Sequence, residues 1–215
     1  MKTKGKYLWK DLENMKKSLK RLVIDSATKF LYIELFEGNQ SKGYYHFEGH
    51  NDHSLYLMSE IENLMNNANY LPTDLDEIIV GVGPGSYTGL RIGVTVAKMF
   101  AWNNKIPVYE VSSLALLASS SDVLGLVLPE IDARRGNSFL GVYNVTEDNV
   151  VEIKNDELRN LEDFIVSYDK QLHKISMGKP NFNKILNSNL LKECQDVHQL
   201  APNYMRITEA ERNKQ

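Results

Sequence analysis

The stretch Val80-Gly-Val-Gly-Pro-Gly-Ser-Tyr-Thr-Gly-Leu-Arg-Ile-Gly93 joins an apolar strand to a helix through a glycine-rich turn. Its glycines permit positive φ angles and let another chain segment or a ligand approach the backbone closely. Pro84 fixes one φ angle and removes one backbone donor. The stretch therefore predicts a tight strand-to-helix connection of an α/β fold, and a turn this specified is rarely only a connector.

One interpretation of this turn is a phosphate site, because backbone N–H groups at a helix N-terminus attract anions. The stretch is not a Walker A loop, since no Lys-Ser or Lys-Thr pair follows its last glycine, and it lacks the spacing of the dinucleotide fingerprint. The other interpretation is close packing of the strand against the helix. The sequence leaves both interpretations open.

The segments around the glycine turn alternate between strand and helix patterns. Runs of apolar and β-branched residues predict strands, and apolar residues at helical spacing predict helices. The predicted strands are 22–25, 30–36, 43–47, 77–82 and 107–111, and the predicted helices are 54–68, 88–102 and 112–119. The order βββαβαβα indicates an α/β fold with a mixed sheet covered by helices.

The second half of the chain predicts a further α/β unit. Its predicted elements are a hairpin of strands 123–128 and 138–143 with a charged turn at 129–137, a strand at 150–153, a helix at 161–168, a strand at 174–178 and a helix at 182–191. We expect the boundary near residues 119–122. This division gives a leader or arm (1–19), a first lobe with the partner-binding helices (20–120) and a second, smaller lobe (121–215).

Composition limits the classes of function. The 215 residues include 42% hydrophobic residues, enough for one or two cores, and their net charge of −3 does not provide the basic surface that binding nucleic acid alone requires. A single cysteine excludes an internal disulfide, no apolar run could span a bilayer, and the lysine-rich residues 1–20 lack the apolar centre of a signal peptide. We therefore expect a cytoplasmic protein without membrane association.

Small residues form a ridge along the helix that follows the glycine turn. Gly89, Gly93, Ala97 and Ala101 are four residues apart, so they line one side of the helix, which another helix could approach closely. The ridge is filled either inside the chain, by the sheet or by helix 54–68, or by a partner. On the partner interpretation, a Gly93→Leu variant folds but loses the partner.

Residues with catalytic or metal-binding side chains do not form a complete site. His50 and His53 are spaced as metal ligands can be, but no third and fourth ligands accompany them. The serines have no His/Asp partners placed by the sequence. We therefore expect no catalytic residue, no metal site and no cofactor.

Asp25 ends the first predicted strand, where actin-like ATPase domains contact phosphate and metal. With Ser26 and Thr28 it forms the only candidate set for cofactor binding. Ala27 stands where such loops often have glycine, which predicts a weakened site.

Several motifs together resemble the TsaB family, also called YeaZ. These motifs are Ile24-Asp-Ser-Ala-Thr28, Gly83-Pro-Gly-Ser-Tyr-Thr-Gly-Leu-Arg91 with Gly93, Val111-Ser-Ser-Leu-Ala115, Asp132-Ala-Arg-Arg-Gly136 and Pro202-Asn-Tyr-Met-Arg206. The glycine segment is the most specific of them, and together they extend from about residue 20 to the C-terminus. The resemblance implies a fold of two actin/Hsp70-like lobes (ASKHA, ribonuclease H-like) and a non-catalytic role in making threonylcarbamoyladenosine in tRNA.

The resemblance also implies partners. The catalytic relative TsaD holds a metal with two histidines four residues apart, and the matching positions here are Ser113 and Leu117, which cannot bind a metal as histidine does. The implied role is that of a scaffold subunit that binds TsaD, with the ATPase TsaE joining the assembly. It further implies a homodimer in isolation and contact with tRNA only through the complex.

The resemblance places the contact with TsaD on two helices of the first lobe. By position, the contact candidates are Leu57, Ile61, Leu64, Gly89, Leu90, Gly93, Val94 and Ala97. Other functions stay open. An ASKHA-type phosphotransferase would need intact phosphate loops, a glycoprotease-like peptidase would need a metal or a nucleophile, and a third alternative is a self-associating structural protein.

Overall fold

A computed structural model describes residues 18–49 and 52–205 of this chain. The predicted leader lies outside these residues except for Ser18 and Leu19, as do His50 of the histidine pair and Arg206 of the last motif. The described residues form two sheets with helices packed against them. The prediction of an α/β fold with mixed sheets covered by helices is confirmed.

The elements alternate as the sequence predicted, with longer strands in the second half. The strands are β1 (Lys20–Asp25), β2 (Phe30–Glu37), β3 (Gln40–Glu48), β4 (Glu77–Gly81), β5 (Val108–Val111), β6 (Gly125–Asp132), β7 (Asn137–Val145), β8 (Val150–Asn160), β9 (His173–Ile175) and β10 (Lys192–Glu193). The helices are α1 (His53–Ala68), α2 (Tyr87–Asn104), α3 (Ser113–Ser119), α4 (Leu161–Val166) and α5 (Phe182–Leu186), and a 3-10 turn covers Pro72–Asp74.

Caps at both ends define the main helices. The Ser86 hydroxyl accepts a hydrogen bond from the Gly89 amide and begins α2, and Ser112 does the same for α3 through the Leu114 and Ala115 amides. At the other end, α1 and α2 each finish on a residue in the left-handed conformation, Asn69 and Lys105.

The first sheet has the strand order β10-β5-β4-β1-β2-β3. Strands β1, β2 and β3 form an antiparallel meander because short turns connect them. Strands β1, β4 and β5 are parallel because the chain returns to the same edge through α1 and α2. The carboxyl ends of these parallel strands carry Asp25 and the glycine turn to one edge of the sheet.

Both faces of the first sheet are covered. In β1, Leu22 and Ile24 pack with α1 and α2 in one core, whereas Val23 packs with α3 and the second sheet in another. Burial on both faces explains why β1 and β4 are continuous apolar runs instead of alternating ones. The helices that we predicted to bind a partner therefore lie together on one face, opposite the second sheet.

The second sheet, in the order β8-β7-β6-β9, corrects the predicted hairpin. Strand β6 continues through Pro129 to Asp132, and β7 begins at Asn137, so the turn is shorter than predicted. Glu130 fits within the strand because its carboxylate accepts from the Ser138 hydroxyl at 2.7 Å and pairs with the Lys174 ammonium at 3.2 Å. The sequence pattern alone did not show these partners.

The boundary predicted near residues 119–122 separates the strands of the two sheets, with the exception of one short strand that follows it. Strand β10 pairs with β5 and so joins the first sheet, and Leu200 is buried in the first core. The second core contains residues of both sheets. Residues 192–193 therefore belong to the first sheet and Leu200 to the first core, although we predicted this part of the chain in the second lobe.

Candidate functional site

The glycine turn and the loop between β1 and β2 pack directly against each other. A Cβ atom at Gly85 would collide with the Ala27 carbonyl, and one at Gly89 would collide with the Ser26 carbonyl. The loop is also bonded to the helix, since the Ser26 hydroxyl donates to the Gly89 carbonyl at 2.7 Å and the Ser86 amide donates to the Ala27 carbonyl at 2.7 Å. Of the two interpretations of the glycines, close packing is therefore the one the structure supports.

All eight predicted contact residues lie inside the chain, which corrects their assignment to the partner surface. Leu57, Ile61, Leu64, Gly89, Leu90, Gly93, Val94 and Ala97 are buried. The small-residue ridge is filled by β1 and its loop, because a Cβ atom at Gly93 would collide with the Ser26 hydroxyl. Gly93→Leu would disturb this packing, which counts against our prediction that the variant folds and loses only the partner.

The same two helices also have an exposed apolar surface. It comprises Leu55 and Met58 of α1, which are 73% and 44% exposed, and Met99 and Trp102 of α2, which are 46% and 63% exposed. Ile92 and Val96 of α2 are partly buried at its margin. We call these six residues the outer helical face.

The sequence contained a signal for this face that we did not use. Leu55 falls outside the stripe of Leu57, Ile61 and Leu64, so α1 has an apolar residue on a second side. A second apolar side on a helix that already buries one against a sheet indicates a further contact.

Asp25 and Thr28, two of the three cofactor candidates, line a small cavity between the two sheets. The cavity is lined by Asp25, Thr28, Phe30, Tyr32, His46, Ser113, Leu117, Ser176, Met177, Gly178 and Pro180. Its volume is about 20 Å³, which accommodates about one water molecule. Ser26, the third candidate, is buried against α2 and does not line it.

Asp25 is held in this cavity by a fixed set of donors. Its Oδ1 accepts from the Ala27 amide at 3.0 Å and from the Ser113 hydroxyl at 3.0 Å, and the missing Cβ at Gly81 makes room for the carboxyl group. Burial raises the pKa of Asp25 to about 6, although these hydrogen bonds and nearby His53 lower it in part. The carboxyl group therefore serves here as a buried structural group.

The positions that correspond to the TsaD metal ligands face the same cavity. Ser113 and Leu117 lie one turn apart on α3, and both line the cavity with Asp25. Ser113 is fully used in hydrogen bonding, because its hydroxyl donates to Asp25 and accepts from the Gly83 amide at 3.2 Å. The arrangement thus contains a hydroxyl and an isobutyl group where the enzyme resemblance implies two histidines.

An ion pair beside the cavity ties the first sheet to the segment after β9. The Lys179 ammonium lies 3.5 Å from a buried Glu34 carboxylate oxygen, and the Tyr32 hydroxyl donates to the other oxygen at 2.5 Å. Burial, followed by the charge of Glu34, raises the pKa of Tyr32, so this hydroxyl keeps its proton. These contacts connect the first sheet to the segment that lines one side of the cavity.

A second polar network joins α3 to the second sheet. Asp156 accepts hydrogen bonds from the Ser112 hydroxyl at 2.5 Å and from the Tyr143 hydroxyl at 2.6 Å. Burial raises the pKa of Asp156, and burial with the Asp156 charge raises that of Tyr143. Because Ser112 is also the N-cap of α3, the network fixes that helix relative to β7 and β8.

No metal centre is found in residues 18–49 and 52–205. Within these ranges no three His, Cys, Asp or Glu side chains are grouped as a metal site requires. His53 instead contacts the Thr28 carbonyl through Nε2 at 3.0 Å. Among the same residues, no helix is both long and apolar enough to cross a bilayer.

Two of the motifs that carry the resemblance meet at the N-terminal end of α2. The Arg91 guanidinium stacks 4.1 Å from the Tyr87 ring centroid, and its Nε donates to the Tyr204 hydroxyl at 2.9 Å. The two tyrosine rings are themselves 4.8 Å apart. These contacts fasten the last described residues to the flank of α2.

Comparisons with known proteins agree with this geometry. A family model described as "TsaD: tRNA N6-adenosine threonylcarbamoyltransferase" matches residues 47–199. The "tRNA threonylcarbamoyladenosine biosynthesis protein TsaB" of Bacillus subtilis (strain 168) is 33% identical over 88% of this chain and 95% of its own length. The protein of the same name from Escherichia coli (strain K12) is 29% identical over 60% of this chain and 57% of its length.

A solved structure shows the same fold. The structure "YeaZ from Pseudomonas aeruginosa" superimposes with a TM-score of 0.73 at 20% identity and covers 86% of this chain and 99% of that one. With the identity to the Bacillus subtilis protein over nearly the whole of both chains, these findings establish that the chain belongs to the TsaB (YeaZ) family.

Proposed function

We propose that this chain is a non-catalytic scaffold subunit of a bacterial complex that forms N6-threonylcarbamoyladenosine in tRNA. It binds and supports a TsaD-type transferase. The names of its relatives support the pathway, and the match to the TsaD family model supports kinship with the catalytic subunit.

The small volume of the Asp25 cavity is the main support for a non-catalytic scaffold role. A ligand site for a molecule as large as a nucleotide needs a cleft of about 300 Å³ or more. The cavity here is about 20 Å³, and Ser113 and Leu117 occupy two of its walls. At the Asp25 cavity this geometry disfavours the two enzymatic alternatives, an ASKHA-type phosphotransferase and a glycoprotease-like peptidase, because neither substrate would fit in that cavity.

The outer helical face supports the second half of the proposal, the contact with TsaD. Leu55, Met58, Met99 and Trp102 expose apolar side chains on two adjacent helices. Interfaces derive most of their affinity from a few central apolar or aromatic anchors. Two helices of the partner packed here would form a four-helix arrangement, with the eight buried residues supporting it from beneath.

Further partners follow from the same role. We propose that TsaE joins the assembly of this chain with TsaD. We also propose that tRNA is reached only through that assembly, in the cytoplasm. When TsaD is absent, two copies of the chain pair through the outer helical face. The net charge of −3 supports an indirect contact with tRNA, because it leaves little basic surface for phosphates.

Charge placed on the outer helical face tests the contact. Met58→Glu and Met99→Glu introduce a carboxylate at sites that are exposed in the free chain, so both variants should fold normally but lose co-purification with TsaD from the same organism. The matched control is Val166→Glu on α4, which is 86% exposed and distant from α1 and α2. Retention of TsaD by the two methionine variants at the level of this control would refute the proposed surface.

A further inference from the structure

The turn between β6 and β7 contains two arginines in a backbone conformation that arginine rarely adopts. Arg134 and Arg135 have φ angles of 65° and 58°, and Gly136 continues the turn with a φ angle of 77°. Glycine accepts this left-handed conformation without steric cost and asparagine is enriched in it, whereas the Cβ atom of other residues crowds the backbone. Arginine is therefore an unfavourable choice here for the fold alone. We call residues 132–136 the arginine turn.

Hydrogen bonds from three strands hold the arginine turn in this conformation. The Arg134 amide donates to an Asp132 carboxylate oxygen at 2.7 Å, and the Arg134 carbonyl accepts from the Asn137 amide at 3.2 Å. At the end of β8, the Asn160 side-chain amide donates to the Gly136 carbonyl at 2.9 Å. A strained conformation that its surroundings fix in this way is typical of binding and catalytic elements.

The two arginines of the turn are exposed, although the residue before them is buried in the second core. Arginine binds a carboxylate group through two parallel hydrogen bonds, and a fixed backbone reduces the entropy that is lost on binding. Arginines also provide a large share of the binding energy in many protein interfaces. A binding role for the two side chains accounts for their presence in the strained turn.

An acidic cleft lies at the base of the arginine turn. Its volume is about 410 Å³, and its lining includes Glu130, Asp132 and Glu162 together with Gly136 of the turn. Lys174 offsets part of this charge through its ion pair with Glu130 at 3.2 Å. The carboxylates of the cleft would repel the phosphates of a nucleic acid. A protein segment, in contrast, can present carboxylates to the arginines and a basic side chain to the cleft.

The arginine turn lies away from the outer helical face. The turn belongs to the second sheet, whereas α1 and α2 pack on the first sheet from the side opposite the second. A protein at the turn and TsaD at the outer helical face would therefore not compete. Since tRNA is reached only through the assembly, TsaE is the member of the proposed assembly that still lacks a surface on this chain.

We propose that the arginine turn binds an acidic segment of TsaE. The identity of this partner rests on the proposed function. The preference for a protein that presents carboxylates rests on the charges of the turn and of its cleft.

Substitution of each arginine by asparagine tests the proposal. Affinity for TsaE from the same organism is measured on the complex of this chain with TsaD. Arg134→Asn and Arg135→Asn should each weaken TsaE binding by about 5- to 30-fold, the loss expected for an interface arginine. The loss should be smaller at about 300 mM salt than at about 50 mM, because salt screens the charges. Arg134→Lys, which retains the charge but not the two parallel hydrogen bonds, should fall between the wild type and Arg134→Asn.

Thermal unfolding separates binding from a structural role of the arginines. Asparagine tolerates the left-handed conformation, so the asparagine variants should melt at the same temperature as the wild type or higher. The control Lys170→Asn removes a positive charge from another exposed position in the second half of the chain, and it should change TsaE affinity by less than about twofold. Equal affinities in the control and in both asparagine variants would overturn the proposal. A loss of tRNA binding in these variants with TsaE binding unchanged would overturn it as well, because it would make a nucleic acid the occupant.

Binding of TsaD distinguishes failure of this inference from failure of the proposed function. If all variants bind TsaD but the wild-type complex does not bind TsaE, the inference fails and the contact with TsaD stands. If no form of the chain binds TsaD, the proposed function fails. TsaE binding to the chain alone then decides the inference, which predicts the same weakening by Arg134→Asn and Arg135→Asn and is overturned if TsaE does not bind.

Discussion

At the scale of single residues, the glycines of the deciding stretch act by making room for the loop between β1 and β2. Gly85, Gly89 and Gly93 each lie against Ser26 or Ala27, where a Cβ atom would collide. The sequence predicted that something approaches these glycines closely. It could not predict whether a ligand, a partner or the chain itself does so. Any of the three could occupy the space that a glycine leaves free.

Gly89→Ala should therefore destabilise the protein. The added methyl group meets the backbone carbonyl of Ser26, which cannot move without disturbing β1. We expect the free energy of unfolding to fall by about 1–2 kcal/mol, since the overpacking exceeds the helix propensity gained by alanine. Urea unfolding measures the loss. The control Thr95→Ala, exposed on the same helix, should change stability by less than about 0.5 kcal/mol.

Asp25 should make stability depend on pH in a defined direction. Its pKa is about 6 in the folded chain, above the ordinary value of 3.8, so the folded state binds the proton more tightly. The stability that Asp25 contributes is present below pH 4 and is lost as the pH rises through 6, by on the order of 3 kcal/mol. In Asp25→Asn this part of the pH dependence should be absent. Unfolding of both proteins at pH 4.5 and pH 7 provides the comparison, and equal pH dependence would contradict the account.

The sequence selected Asp25 by its position after the first strand, and the family resemblance selected Ser113 and Leu117, but neither argument related the three residues to one another. The structure brings all three to one cavity. Their chemistry could not be predicted, because the raised pKa of Asp25 results from burial between two sheets that are distant in sequence.

At the scale of elements, periodicity located α1 and α2 but did not say which side faces inward. The small residues of α2 fit equally well against a sheet or against a partner helix, and we assigned them to the partner. Burial decides between the two, and it depends on the crossing of α2 over β1, which no local pattern contains. Similarly, the helix predicted at 182–191 ends at Leu186, and Leu190 and Leu191 pack in the second core from an irregular segment.

The network of Ser112, Tyr143 and Asp156 gives a prediction for α3. Tyr143→Phe removes one donor from a buried carboxyl group and should lower the free energy of unfolding by about 1–3 kcal/mol. A matched control is Tyr168→Phe, which removes the hydroxyl of a ring stacked on Phe164 and should have little effect. Equal losses in the two variants, measured by thermal unfolding, would show that the hydroxyl of Tyr143 does not support the network.

At the scale of the whole molecule, two sheets enclose a shared core and leave almost no space between them. The ion pair of Lys179 with Glu34 joins the segment after β9 to β2, and the Asp156 network joins α3 to β7 and β8. This chain fills the region around Asp25 with side chains and leaves a cavity of about 20 Å³ there. The sequence predicted the fold, but the contact of Lys179 with Glu34 joins residues more than a hundred positions apart, which no local pattern predicts.

We propose that this chain, with its small Asp25 cavity and its exposed apolar helical face, acts by binding a partner, and the mass of that complex tests this claim most directly. Size-exclusion chromatography with light scattering should be performed on the chain alone and mixed with TsaD from the same organism. The account predicts a one-to-one complex that replaces any homodimer of the chain. Two separate species at every mixing ratio, with TsaE and nucleotide present or absent, would contradict it.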